Sequence, residues 1–260
     1  MRTAVALFFI LSLYSCSRNI YLQSPVYAPQ LVHRGEADVQ CGFQAEGGYS
    51  AAAAFAVTNH IHIQAQGNSP DLKYNGNYAF GAGYRWHMRT DSVTHLLAGL
   101  TVGYASGKFQ DYTSAETGLG VSGFNAIPGY VLIDMRSRYR GPFFQYVLGI
   151  RSDRKLSLYT GTRIQWLLAD DLHYTMQQYV NNGNGFSEGA AYLVNPAAAD
   201  FSKIADVYIG GYYGWKRLQF FMQVQWRYQY TGVNLNNTVK PHSRVAITTG
   251  IVCPLGKRKE

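Results

Sequence analysis

The sequence predicts an all-β protein, an antiparallel up-and-down transmembrane β-barrel of about ten strands, with eight or twelve as the neighbouring counts. Three observations carry that expectation. Long stretches alternate apolar and polar residues with a period of two, the mark of a strand with two different faces. The connections between these stretches are short and long by turns, the asymmetry of outer-membrane barrels. Only 15% of the 260 residues are charged, while 15% are aromatic and 21 are tyrosine; an ordinary soluble domain carries ~25% charge. That aromatic content excludes a disordered chain, and three cysteines exclude a disulfide scaffold. Past residue 15 no run of ~18 apolar residues occurs, so no spanning helix is expected.

Residues 1–15 read as a secretory signal: Arg2 gives the positive start, and Ala4 to Leu13 the short apolar core. Leu13-Tyr14-Ser15 precedes Cys16 as an aliphatic and a small residue precede a lipidated cysteine. Cys16 is therefore the expected lipidation site. Residues 16–34 carry prolines and no period, and read as an extended, lipid-anchored tether. The barrel is expected over 35–253, followed by a charged tail at 254–260.

Ten strands are expected near 36–47, 49–57, 60–67, 77–88, 94–107, 138–152, 155–168, 204–214, 217–230 and 242–253. The clearest is 218–230, where Phe220, Met222, Val224 and Trp226 alternate with Gln219, Gln223, Gln225 and Arg227. It exceeds the usual ~5–6 residues and covers the ~9–11 that a tilted strand needs to cross a bilayer. Short connections at Thr58-Asn59, 89–93, Asp153-Arg154 and Trp215-Lys216 alternate with long ones at 68–76, 108–137, 169–203 and 231–241, and only the first hairpin, at Gly47-Gly48, breaks the pattern. Ten strands place both ends of the barrel on the short-turn, periplasmic side. Closure pairs the first strand with the last, which places Cys253 opposite the region of Glu36 and Cys41 too far along for a disulfide. A soluble barrel would carry charge outside, but the polar phases here hold mostly Gln and a few Arg.

Two segments resemble outer-membrane β-barrel lipoproteins of Bacteroidota. One is the prolines after Cys16 followed by Arg34-Gly35-Glu36; the other is Ala52-Ala53-Ala54-Phe55-Ala56-Val57-Thr58-Asn59-His60-Ile61. Phe144-Gln145, a basic turn and the strand holding Arg163 fit the same layout. The resemblance implies the fold and the outer membrane, and no activity. The chain departs from many barrels by ending on Gly256-Lys257-Arg258-Lys259-Glu260 and not on an aromatic residue.

The polar phases form the most informative constellation. Glu36, Asp38, Glu46, Arg85, Arg89, Arg151, Arg163, Gln223 and Arg227 are expected to point into the lumen. In so narrow a barrel such charges must be paired, so each of Arg85, Arg151, Arg163 and Arg227 is expected within reach of an acid or glutamine from another strand. His60 and His62 share one strand phase without a third ligand, and no metal or cofactor is expected. Asp170, Asp171 and His173, placed where a long outer loop starts, form the best enzymatic candidate, without a nucleophile motif such as Gly-x-Ser-x-Gly. Gly118 to Gly123 reads as a flexible outer loop, since no P-loop lysine follows. Lys and Arg are scattered, which is no nucleic-acid footprint.

The expected function is a lipid-anchored outer-membrane barrel, not an enzyme, with a structural or interaction role as part of an envelope complex. Its lumen is plugged by Arg, Gln and Glu, and its partners are membrane lipids and envelope proteins. A narrow path for small anions is the first alternative and a hydrolase active at the rim the second. The lipidation site gives a direct test. Cys16→Ser is expected to abolish acyl labelling and to slow precursor processing, whereas unchanged labelling removes the lipoprotein reading.

Overall fold

The computed structural model describes residues 26–44, 48–69, 75–91, 94–117, 129–152, 156–181, 186–194, 201–215, 218–231 and 242–255. Apart from a lead-in at 26–36 and the turns, these residues form strands: β1 (Ala37–Gln44), β2 (Tyr49–Ala56), β3 (Ile61–Ser69), β4 (Gly76–Arg89), β5 (Thr94–Thr117), β6 (Gly129–Ser152), β7 (Leu156–Asn181), β8 (Phe186–Val194), β9 (Phe201–Trp215), β10 (Leu218–Thr231) and β11 (His242–Leu255). Ten of them close a ring. From β1 to β7 each strand pairs with the next, β7 pairs with β9, β9 with β10, β10 with β11, and β11 with β1. The closed ten-strand antiparallel barrel is the fold the sequence predicts. β8 stands outside the ring and pairs with the upper part of β7, from Tyr174 to Asn181.

The connections at 108–137 and 169–203 need correction, because much of them is wall. β5 and β6 pair without a break from Thr94–Ser152 to Thr117–Gly129, and β7 runs on to Asn181. These stretches lose the period-two pattern but keep Tyr, Thr, Val and Ile at Tyr112-Thr113, Tyr130–Ile133 and Tyr179-Val180. Such residues are enriched in strands. With 26 residues, a rise of ~3.4 Å per residue and a tilt of ~40°, β7 stands about 65 Å tall, against a ~30 Å hydrocarbon core. The barrel is therefore a short ring on the β1–β3 side and a high wall on the β5–β7 side. Along the β6–β7 seam the pairing lapses at Gly141 and Pro142, where proline has no N–H for the ladder.

The faces follow the expected parity. On β1, Asp38, Gln40 and Gln44 point inward and are buried, while Val39, Cys41 and Phe43 face out. Exposed apolar side chains cover the outside of every ring strand described, Met222 at 59% and Trp215 at 66% exposure among them. Only lipid makes such a face favourable. Aromatics gather near its borders, Trp86 packing on Tyr84 at 4.7 Å toward the short turns and Phe43 on Tyr49 at 5.9 Å toward the opposite rim. Arg89 corrects the parity at one point: it sits at a strand end, exposed, and its Nε donates to the Asp91 carbonyl at 3.0 Å.

The closing seam departs from the expected register. Cys253 faces Val39 and not the region of Glu36, Cys41 faces Ile251, and both thiols are free. The difference arises because β11 runs on to Leu255 and β1 begins at Ala37.

Inside the ring, glycines make room for aromatic rings. A Cβ on Gly210 would lie 2.5 Å from the Tyr159 ring, whose hydroxyl donates to Gln223 Oε1 at 3.0 Å. Gly210→Val is expected to displace Tyr159 and lower the thermal midpoint in detergent, at a cost of about 1–3 kcal/mol. An unchanged midpoint would show that the ring has slack there.

Candidate functional site: the occupied lumen

The lead-in does not hang below the barrel as a tether. From Val26 to Val32 it is almost wholly buried, Val26 at 0% and Val32 at 1% exposure, and it runs inside the ring. Arg34 and Gly35 form a turn at the short-turn mouth, where Arg34 N–H donates to Asn59 Oδ1 and Gly35 N–H to the Ala56 carbonyl. Going back along the chain, contacts climb the wall. His33 and Val32 meet Arg85 and Glu36 at the mouth, Gln30 meets Arg151, and Tyr27 meets Gln145 and Gln66. Val26 and Ala28 lie against Tyr159, Tyr208, Tyr212, Phe221 and Val252, while Tyr27 and Leu31 pack on Ala54 and Ala56. The tether expected at 16–34 is thus, from residue 26 onward, a plug. A chain segment with exposed amides is at home only where donors and acceptors line the walls, and the polar phases supply them.

The charged residues fall into two layers. At the mouth, Arg151 forms a buried ion pair with Glu36 at 3.0 Å and also donates to the Gln30 carbonyl at 2.7 Å. Arg85 departs from the expectation that it meets an acid or glutamine. It donates instead to the carbonyls of Thr58 (2.8 Å), Asn59 (3.0 Å) and His33 (3.4 Å), because the β2–β3 turn and the plug converge there. Higher up, Arg227 grips Asp206 with two hydrogen bonds at 2.6 and 3.0 Å. Asp206 lies directly across the strand ladders from both Arg227 on β10 and Arg163 on β7. Arg163 stacks over Phe143 at 4.3 Å, and Gln165 of its own strand accepts from its guanidinium. Gln223 is buried on the Tyr159 hydroxyl.

Of the residues expected in the lumen, Glu36, Asp38, Arg85, Arg151, Arg163, Gln223 and Arg227 are buried inside the ring. Arg89 is exposed at its strand end, and Glu46 lies outside the described residues. Sequence reasoning missed Asp206, although its parity within β9 marks it as inward. It missed the plug as well, whose one trace is the apolar content of Val26, Tyr27, Leu31 and Val32. His60 and His62 part company: His62 turns inward to the Thr101 hydroxyl at 3.2 Å, while His60 stacks on Tyr84 and lies near His87, itself 6.3 Å from His33 of the plug. Among the described residues no set of three or more His, Cys, Asp or Glu is arranged to hold a metal. Asp170, Asp171 and His173 belong to the extended β7 and not to a loop start, and their side chains lie outside the described residues. The Gly118–Gly123 segment lies outside them too.

Fold and lumen together define the class, an outer-membrane-type β-barrel with a filled polar interior. Among solved structures, the chain is similar to the outer membrane protease OmpT from Escherichia coli, at 10% identity over 85% of this chain and 93% of that one, with a TM-score of 0.41. It also matches OmpT, an outer membrane protein of Vibrio cholerae, at 10% identity over 85% and 96%, with a TM-score of 0.17. No family model and no curated protein matches the chain. The expectation that the protein is not an enzyme is corrected by the first of these, since a protease is among the barrels it matches. At this identity the likeness concerns the fold alone, and it assigns this chain neither an activity nor a catalytic residue.

The mouth clamp has a pH signature. Burial alone would raise the Glu36 carboxyl, but the charge and hydrogen bond of Arg151, with the backbone N–H groups of Val32 and His33, hold it below its ordinary 4.5. A carboxyl lowered in the folded state contributes stability above its unfolded value and loses it as the pH falls through the folded one. Stability is therefore expected to decline as the pH drops below about 4.5, and Glu36→Gln to remove that part of the decline. At neutral pH the same variant, which leaves Arg151 buried without this carboxylate, is expected to cost about 3 kcal/mol. Thermal melts of both proteins between pH 7 and 3 provide the measurement.

Proposed function

We propose that the protein is a lipid-anchored barrel of the outer membrane with a structural or interaction role in the cell envelope, its lumen held shut. The observation that carries this reading is the segment from Val26 to Val32, buried along the lumen and hydrogen-bonded to the wall. In the described lumen beside the plug, a cavity of about 20 Å³ lies between Gln30, Arg85 and His62, close to the size that holds one water. The Bacteroidota lipoproteins that the chain resembles fit the same role, with Cys16 as the lipid site, membrane lipids and envelope proteins as partners, and both ends of the barrel facing the periplasm.

A narrow anion path is the second reading. What favours it is the charge of the lumen: among the described residues Arg85, Arg151, Arg163 and Arg227 face Glu36, Asp38 and Asp206, an excess of one cation. Planar-bilayer recording separates the two. The purified protein is expected to give no steady conductance. Tyr212→Phe with Arg151→Ala, which removes the holds on the Ala28 and Gln30 carbonyls, is expected to give discrete conductance steps. Steady conductance by the unaltered protein would put the anion path in place of the closed barrel.

A further inference from the structure

The plug is held as a bound peptide is held. Six of its backbone groups each meet a wall side chain, and a seventh meets Glu36 just before β1. Gln66 accepts from Tyr27 N–H at 3.1 Å, and Gln145 donates to the Tyr27 carbonyl at 2.7 Å. The Tyr212 hydroxyl donates to the Ala28 carbonyl at 2.9 Å, and Asp38 accepts from Gln30 N–H at 3.2 Å. Arg151 donates to the Gln30 carbonyl at 2.7 Å, Glu36 accepts from Val32 N–H at 2.6 Å, and Arg85 donates to the His33 carbonyl at 3.4 Å. These side chains come from β1 and its lead-in, β3, β4, β6 and β9, so the reading surrounds the segment on all sides. The segment's own polar side chains add little: Tyr27 reaches the Asp38 carbonyl at 3.5 Å, and both amide atoms of Gln30 have no partner among the described residues. Pro29 falls at a position from which the wall takes no N–H.

We infer that the lumen is a binding site for an extended polypeptide, recognised by its main chain, and that residues 26–33 are the occupant supplied in cis. Main-chain donors and acceptors are common to all peptides, so the site tolerates sequence. Its limits are small or aliphatic side chains where Val26, Ala28, Leu31 and Val32 pack, and no proline where Tyr27, Gln30 and Val32 donate. Gly35, with φ at 81° and open space where a side chain would stand, is the joint on which the occupant is hung. A tethered occupant acts at an effective concentration in the millimolar range, so a free peptide takes its place only when the cis segment is weakened.

The inference rests on the occupied-lumen reading, and the test separates the two. The full chain carrying Val26→Asp and Leu31→Asp places two carboxylates in apolar sites and leaves the wall untouched. A second full chain replaces residues 26–33 with a Gly/Ser spacer of equal length, in case the first does not fold. Each is mixed in detergent with a fluorescent peptide of residues 26–34, and anisotropy is read beside bilayer conductance. The peptide is expected to bind the altered chains at least tenfold more tightly than the unaltered protein, and to close the conductance they show. N-methylation at Tyr27, Gln30 and Val32 removes three donors and is expected to weaken binding at least tenfold, while Val26→Ile in the peptide changes it by less than about threefold. Altered chains that conduct but neither bind nor close overturn the inference and leave the plug standing. Equal binding of the N-methylated peptide overturns main-chain recognition. Altered chains that stay silent and bind nothing show a lumen shut by side chains alone, which overturns both.

Discussion

The structure turns on one constraint: a barrel narrow enough to be filled, with lipid outside, must satisfy every polar group it turns inward. A strand has two faces, and lipid claims one of them. The glutamines, arginines and acids of the other face have no water-filled channel to dissolve in, and an unpaired charge there costs several kcal/mol. The chain meets this demand in three ways. Asp206 sits between two arginines on the neighbouring strands. Turn carbonyls cap Arg85. Gln66, Gln145, Tyr212, Asp38 and Arg151 are met by an extended segment whose own amides need partners as much as the wall does.

That reciprocity makes β1 and its lead-in the hinge of the architecture. Glu36 accepts at once from the Val32 amide of the plug and from Arg151 on the far wall. Asp38, two positions on, accepts from Gln30 while its own strand closes the ring against β11. One short stretch of chain thus joins seam, plug and opposite wall, and a change in any of the three is felt by the other two. The plug packs on the rings of Tyr159, Tyr208 and Tyr212, and glycines on the neighbouring strands leave room for the first two.

The ring and its two faces are legible in the sequence because lipid outside and polar lumen inside impose a period of two, and this period is plain at membrane height in β1, β3, β4 and β10. It fails where that contrast ends. Above the membrane the Tyr- and Thr-bearing parts of β5, β6 and β7 alternate no longer, so wall reads as loop. Parity tells which way Arg163 and Arg227 point. It does not tell that Asp206 is their neighbour, since a partner is set by register, and register depends on where the strands start and stop. His33, His87 and His60 illustrate the same limit: three elements bring His87 within about 6 Å of each of the other two, and no spacing in the chain announces it. The plug is hidden for a further reason. Its hydrogen bonds belong to its backbone, which every sequence has.

The two free thiols flank the seam two rungs apart, Cys41 across from Ile251 and Cys253 across from Val39. A slip of two residues keeps every side chain on its proper face, and is therefore the least costly mistake that β1 and β11 can make while zipping. In that slipped state the two sulfurs stand on one rung, where Cα atoms ~4.5–5.5 Å apart fall inside the span a disulfide bridges. Under oxidising conditions the seam thus carries its own trap. A chain zipped correctly keeps both thiols, and one zipped two rungs out is welded into its error.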